Sequence, residues 1–153
     1  MARVSTLNAE KERAGAWYGE LFQSYENLPF SFRIGETAYH GFNDDFPFVS
    51  KETSSERISK KHAEYEIRKM VLTARHKSGV EVKAECAYYP EYAVFEWVLH
   101  FRNTGEENSP AIRCVNAADL DFSGSEPVLE YFLGDDSADQ KAMKPERVDL
   151  NTG

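Results

Sequence analysis

The chain has 153 residues, which fits one domain of ordinary size and is short for a (β/α)₈ barrel of about 250 residues. Its 26 acidic and 18 basic residues give a formal charge of -8, so general binding to nucleic-acid phosphates is disfavoured. The sequence is 41% hydrophobic and 29% charged, with no membrane-length apolar run and no apolar signal core. We therefore expect a folded cytoplasmic protein without a membrane partner.

The first predicted element is an amphipathic helix. Apolar side chains recur at helical spacing from Ala14 to Tyr25, with charges between them. Asn8 is placed to cap this helix, and the motif Asn27-Leu28-Pro29 would end it. An irregular arm laid across a sheet is the alternative interpretation of the same segment.

The period of the pattern changes to two after Pro29. Alternating apolar residues from Phe30 to Ile34 predict a strand, and Gly35-Glu36 predicts a turn. The following stretch, residues 41–62, contains a proline and many serines and charges. This composition favours a loop or an irregular edge strand over a core element.

Strands then recur at short intervals to residue 133. The hairpin loop Lys77-Ser78-Gly79 separates the first two of them, and Val98 is the apolar exception on the polar face of the third. The predicted strands lie in Tyr65 to His76, Val80 to Tyr88, Phe95 to Phe101, Ile112 to Phe122 and Val128 to Leu133.

This spacing of strands and polar turns predicts an all-β fold, an antiparallel β-sandwich with a short N-terminal helix. We expect the helix or arm in residues 1–27, the sandwich in residues 28–134 and a polar tail in residues 135–153. The tail has almost no apolar content, which is typical of a disordered terminus or of the start of a segment that continues in a longer protein.

Three groups of acidic residues are candidates for chemistry, and for all three the sequence favours solvated surface acids. Glycoside hydrolysis needs two carboxyl groups on opposite sides of a bond, roughly 5 to 9.5 Å apart. Neighbouring aspartates point to opposite faces of an extended segment, and aspartates two apart share one face and cannot bracket a bond. The loop group lacks the ligand order of a calcium loop. The groups are Asp44 with Asp45, Asp119 with Asp121, and the loop group Asp135, Asp136 and Asp139.

The sequence predicts no catalytic residue, metal site or cofactor in this chain. Cys86 and Cys114 are not in a C-x-x-C spacing, and Cys86 falls on the apolar face of its strand, which favours core packing. Glycine-rich phosphate loops and the G-x-S-x-G motif are missing. The histidines are scattered without a zinc spacing, at His40, His62, His76 and His100.

Aromatic residues cluster between Tyr88 and Trp97. In strands such rings usually form core and cross-strand pairs, and they can also stack on sugar rings. We expect Phe95 and Trp97 in the core, whereas both interpretations stay open for Tyr89 and Tyr92.

Three stretches stand in order within residues 28–145: LPFSFRIGE, VEVKAECAYYPEYAVFEWVLHFRNTGEENSPAIRCVNAADLDF and GDDSADQKAMKP. This ordered series resembles the N-terminal domain of glycoside hydrolase family 36, the retaining α-galactosidases or melibiases. The residues at matching places are Val94, Glu96, Trp97, Phe101, Asn103, Thr104, Gly105, Pro110, Ala118, Asp119, Leu120 and Ser137-Ala138-Asp139.

The resemblance implies a β-supersandwich that precedes a (β/α)₈ barrel and a C-terminal β-sandwich. The barrel carries the aspartate nucleophile and the aspartate acid/base of that family, and no segment of this chain matches the motifs around them. The implied role is therefore a non-catalytic domain that supports the barrel, contributes to oligomer contacts and shapes the rim of the sugar pocket. Its implied partners are its own downstream barrel, a homo-oligomer and, through the parent enzyme, an α-galactoside.

The loop that follows the glycine turn is the candidate pocket rim. Relatives often carry a tryptophan there, whereas this chain reads YHGFNDDFPFVSKET. Either Phe46 or Phe48 substitutes for it, or the loop does not contact sugar. The candidate substrate-binding residues are therefore Asp44, Asp45 and Phe46.

Two other functions compete with this interpretation. One is a stand-alone carbohydrate-binding module, and the other is a sandwich interaction domain without sugar binding. A surface that a barrel normally covers would be an exposed apolar patch, which we expect around Trp17, Leu21 and Phe22.

Overall fold

The computed structural model describes residues 8–60, 63–120, 128–131 and 146–149. The chain divides into two compact units, one ending at Asp119 and the other beginning at Leu120. The elements are α1 (Asn8–Glu20), β1 (Ser31–Ile34), β2 (Thr37–Tyr39), β3 (Phe48–Lys60), β4 (Ala63–Arg75), β5 (Val80–Tyr89), β6 (Val94–Asn103), β7 (Ile112–Asn116), β8 (Val128–Tyr131) and β9 (Glu146–Asp149).

The first unit is an antiparallel β-sandwich with one short N-terminal helix, which confirms the predicted fold class. One sheet has the strand order β2-β1-β7, and the other has the order β3-β4-β5-β6. The ring of Phe32 on β1 lies 5.3 Å from that of Phe101 on β6, edge to face, so the two sheets share one core. The residues at the centre of that core are almost fully buried: Phe30, Phe32, Leu72, Val80, Val82 and Ala84.

Helix α1 begins at Asn8 and ends at Glu20, earlier than the Asn27-Leu28-Pro29 motif suggested. A turn follows, in which the N–H of Gln23 donates to the carbonyl of Glu20 at 3.1 Å, and Phe22 in this turn is buried in the core, with only 2% of it exposed. The expected apolar patch around Phe22 is therefore wrong at this residue. Trp17 and Leu21 are half-buried, and the Trp17 ring packs edge to face on Phe95 at 5.0 Å.

Strand β3 shows that the prediction for residues 41–62 is wrong in part. We expected a loop or an irregular edge strand, and residues 48–60 instead form a regular strand in which all 13 residues pair with β4. The edge position is as expected, since most β3 side chains are exposed. An edge strand of this kind needs no apolar alternation, because its partner supplies the hydrogen bonds and most of its side chains remain exposed.

The β4–β5 hairpin has the predicted form. Its turn contains Gly79, whose φ of 85° lies in the left-handed region. A Cβ at Gly79 would also lie 3.0 Å from the backbone nitrogen of Gly105. The backbone N–H and the hydroxyl of Thr104 both donate to the carbonyl of Gly79 at 2.8 Å, so the β4–β5 turn and the turn after β6 are fastened together.

Strand β7 is shorter than the predicted Ile112 to Phe122 and contains an irregularity. Cys114 has a φ of 47°, and the register against β1 shifts between Ser31 and Arg33, as in a β-bulge. In the second unit, β8 pairs antiparallel with β9. Strand β8 confirms the first part of the strand predicted over 128–133, and β9 is an element that the polar tail did not predict.

Candidate functional site

The predicted rim loop lies between β2 and β3, and the structure treats its three candidate residues differently. Phe46 is 4% exposed, with its ring among Phe32, Tyr39, Phe42 and His76. It is therefore part of the core. Asp44 is exposed, and Asp45 is half-buried. A contact of this loop with sugar stays a prediction.

Asp45 is held from two sides. One carboxylate oxygen, Oδ1, forms an ion pair with the ammonium of Lys77, and the other, Oδ2, accepts a hydrogen bond of 2.9 Å from the hydroxyl of Tyr39. The backbone N–H of Lys77 also donates to the carbonyl of Asp45 at 2.8 Å. The hydrogen bonds from Lys77 and Tyr39 hold the pKa of Asp45 below its ordinary value.

His76 lies behind this pair. The sequence pattern does not indicate this position, because the four histidines share no regular spacing. Only 8% of His76 is exposed. The backbone N–H of Ser78 donates to Nδ1 at 3.1 Å, so Nδ1 is an acceptor and the proton of the neutral ring is on Nε2. Nε2 lies 3.1 Å from the hydroxyl oxygen of Tyr39, and this hydroxyl donates a hydrogen bond to Asp45. A directed chain therefore runs from Ser78 through His76 and Tyr39 to Asp45.

Burial is the largest influence on His76 and lowers the pKa of its imidazole below the ordinary value. The charge of Asp45 raises this pKa and that of Lys77 lowers it, so the two neighbours partly cancel. Burial and the Asp45 carboxylate raise the pKa of Tyr39. At neutral pH the network therefore contains a neutral His76, a neutral Tyr39 and an ionised Asp45.

The geometry of this network suits fastening better than catalysis. The hydroxyl of Ser78 lies 2.7 Å from Nδ1 of His76, within reach for a nucleophile and its base. However, the backbone N–H of Ser78 is already donated to the same imidazole, so it is not available to stabilise an oxyanion. The network of Asp45, Lys77, Tyr39 and His76 fixes the rim loop to the turn between β4 and β5.

The other acidic groups do not form a catalytic pair in the part of the chain that the structure describes. Asp119 follows β7 rather than lying on it, and its carboxylate is 3.4 Å from Nδ1 of His40. Asp121, Asp135, Asp136 and Asp139 lie outside the described residues. Among the described side chains, no group of three His, Cys, Asp or Glu residues is arranged to hold a metal ion.

Cys86 is a core residue, as predicted. It is 6% exposed, and burial raises the pKa of its thiol to about 12. Cys114 is exposed on β7, and both thiols are free.

The outer face of the four-stranded sheet carries an open hollow of about 570 Å³, which we call the outer hollow. The hollow is lined by apolar side chains and by charged groups, among them Lys69 and Glu85. Above it the hydroxyl of Tyr89 donates to Glu96 at 2.7 Å. Tyr92, at the end of this face, is 51% exposed, so Tyr89 and Tyr92 lie on the surface rather than in the core. The apolar lining includes Ile67, Val71, Ala87 and Val98.

A second hollow of about 620 Å³ lies between the end of α1 and the β3–β4 hairpin. Its basic groups are engaged within the protein. The ammonium of Lys51 donates to the carbonyl of Phe22 at 3.0 Å, and Arg68 pairs with Glu66 at 2.9 Å.

In the described residues, no helix is long and apolar enough to cross a membrane.

The comparisons with known proteins leave this arrangement to be interpreted from its own geometry. No protein-family model, no curated protein and no solved structure matches the chain.

Proposed function

We propose that this chain is a non-catalytic β-sandwich domain of a glycosidase that resembles the α-galactosidases of glycoside hydrolase family 36. There it would support the downstream barrel, contribute to oligomer contacts and shape the rim of the sugar pocket. The proposal depends on the ordered resemblance along residues 28–145.

One structural observation supports it: three of the described residues that carry the resemblance, Trp97, Asn103 and Thr104, hold strands and turns of the sandwich together. Thr104 fastens its turn to Gly79, and the side chain of Asn103 caps the same turn by accepting from the N–H of Gly105 at 3.0 Å. The indole N–H of Trp97 donates to the carbonyl of Ala117 at 2.6 Å, which ties β6 to the segment after β7. Such roles are those of a shared scaffold, since they define turns and the joining of sheets.

The rim loop has the properties that such a domain requires. It is anchored at Asp45 by Lys77 and Tyr39, and it presents Asp44 to solvent next to that anchor. A fixed loop loses little conformational entropy when its exposed carboxylate accepts a hydrogen bond from a sugar hydroxyl. Asp44 is therefore the residue of the three that we assign to the rim.

The test begins with the coding region that follows Gly153. The proposal expects a (β/α)₈ barrel of about 250 residues there. The longer protein should hydrolyse an aryl α-galactoside, whereas the 153-residue chain alone should not. A stop directly after Gly153, or a longer protein that is inactive on α-galactosides, would contradict it.

In that longer protein, Asp44→Asn should raise KM for the aryl α-galactoside about threefold to tenfold and leave kcat nearly unchanged. Glu106→Gln, a change of the same kind at an exposed position in the turn after β6, should alter neither constant. If the two variants had equal kinetic constants, Asp44 would not contribute to substrate binding at the rim.

A carbohydrate-binding module is the second candidate, favoured by the outer hollow. A sugar ring could stack on Tyr89 while its hydroxyl groups donate to the carboxylates of Glu96 and Glu85. Titration of the chain with galactose or raffinose should then give saturable heat that Tyr89→Ala removes and Val115→Ala retains. The absence of heat with the unmodified chain would exclude these two sugars as ligands of the hollow.

A further inference from the structure

Strand β6 is an edge of the four-stranded sheet. In the part of the chain that the structure describes, its one strand partner is β5, with which all ten of its residues pair. It contains no proline, glycine or bulge to discourage further pairing. An edge of this length and regularity is a template for another strand.

Both faces of β6 carry apolar side chains that the sandwich does not fully cover. On the outer face, Val94 is 48% exposed and Val98 is 56% exposed. Val98 is the residue that breaks the polar alternation of this face in the sequence. The side chains that point toward the core are only half-buried, namely Phe95, Trp97, Leu99 and Phe101.

We propose that β6 pairs antiparallel with β6 of a second copy of this chain, about a two-fold axis at Val98. The two four-stranded sheets would then form one continuous sheet of eight strands. A closed two-fold arrangement uses the same surface on both copies, so its complementarity can be read from one strand.

The β6 sequence is complementary to itself about this axis. Val98 would face its own equivalent, and Glu96 would face His100 of the second copy on the outer side of the sheet. An imidazole N–H donates to a carboxylate, and the two-fold axis makes this pair twice. On the core side, Phe95 would face Phe101, and Trp97 would face Leu99, which covers the four half-buried side chains.

Strand β3, at the opposite edge of the sheet, is not self-complementary about its centre. Strand β3 has its centre at Ser54, and pairing with itself about that residue would place Glu52 opposite Glu56. Like charges directly opposite each other are destabilising. About its centre, β3 therefore lacks the self-complementary pattern that β6 has about Val98.

This inference deepens the proposed function, on which it rests only for the expectation of an oligomer contact. A single pair of strands buries a small area, so we expect a weak, concentration-dependent dimer. Light scattering after size exclusion, from micromolar to millimolar chain, should report a mass that rises from one chain toward two. A mass of one chain throughout this range would overturn the inference, and it would leave the sugar chemistry of the proposed function untouched.

Val98→Lys places two like charges on the axis and should weaken dimerisation at least about tenfold. Val115→Lys is the matched control, because Val115 is a 44% exposed valine on an edge strand of the other sheet. This control should keep the dimer. Equal dimerisation of both variants, each checked for an unchanged unfolding midpoint, would place the contact elsewhere.

Charge exchange tests the register. Glu96→Lys alone would face His100, and His100→Glu alone would face Glu96, so each variant should dimerise poorly. Mixing the two variants creates one Lys–Glu pair and one Glu–His pair, so a mixed dimer should reappear. Mixed samples that remain monomeric would overturn the register.

A cysteine at position 98 tests independently whether this residue lies on the two-fold axis. In a Cys114→Ser background, Val98→Cys should form a disulfide-linked dimer on mild oxidation, because each sulfur would face its equivalent. Val115→Cys in the same background should not. Absence of the Val98→Cys product in a sample that dimerises would show that Val98 is not at the axis.

Discussion

Nε2 of the buried His76 lies 3.1 Å from the hydroxyl oxygen of Tyr39. The two residues are 37 positions apart in the chain, and the contact joins the end of β2 to the turn after β4. Through it the imidazole N–H reaches an acceptor, and the tyrosine hydroxyl is free to donate to Asp45. The network therefore stabilises two loops by satisfying groups that the core has removed from water.

Tyr39→Phe should lower the free energy of unfolding by about 1–3 kcal/mol, because it leaves the N–H of buried His76 without its acceptor. The measurement is urea unfolding followed by tryptophan fluorescence. Tyr89→Phe is the control, since its hydroxyl bonds to exposed Glu96 on the outer face and its loss should have a smaller effect. Equal effects of the two changes would show that the buried network does not stabilise the fold.

The lowered pKa of His76 predicts a stability that depends on pH. The unfolded chain binds a proton at the ordinary histidine value of 6.5, whereas the folded chain binds it only at lower pH. Between the lowered pKa and 6.5 the unfolded state holds more protons, so the free energy of unfolding rises with pH and levels off above 6.5. His76→Gln should flatten this rise, measured by urea unfolding across that range. His40→Gln, at a side chain that is 66% exposed, should preserve most of it.

The core strands of the sandwich could be predicted from sequence because burial on one face imposes alternation. In β5, Val80, Val82 and Ala84 point into the core while Lys83 and Glu85 point outward. Strand β3 could not be predicted in this way, since its residues are mostly polar and exposed. The sequence of such a strand resembles that of a loop.

The candidate site was only partly predictable for a related reason. The sequence indicates that Asp44 and Asp45 lie in one loop, but the partners of Asp45 come from β2 and the β4–β5 turn. The sequence makes Phe46 a candidate for contact with sugar, whereas the rings of Phe42 and His76 pack against it in the core. Contacts between residues distant in sequence follow from the sheet order, which alternation alone does not specify.

The two cysteines should differ in reactivity. The thiol of Cys86 is buried and its pKa is raised to about 12, so little thiolate is present at neutral pH. Cys114 is exposed. Brief treatment of the folded chain with iodoacetamide should therefore modify Cys114 alone, and treatment in concentrated urea should modify both. Mass spectrometry of the digested protein distinguishes the sites, and labelling of Cys86 at the same rate as Cys114 would contradict its burial.

Substituting alanine for glycine should have opposite effects at two positions. Gly79→Ala forces a left-handed φ of 85° on a residue with a Cβ and brings that atom to 3.0 Å from the nitrogen of Gly105. The cost should be at least about 1–2 kcal/mol, and the lock between the two turns should loosen with it. Gly19→Ala lies in α1, where the new Cβ meets no atom within 4 Å beyond its chain neighbours and the backbone of its own helix, so it should stabilise the protein by up to about 1 kcal/mol. Thermal unfolding of both variants beside the unmodified chain gives the two signs directly. If Gly79→Ala were neutral, the turn would have to adopt another backbone conformation, and the hydrogen bonds from Thr104 to the carbonyl of residue 79 would be lost with it.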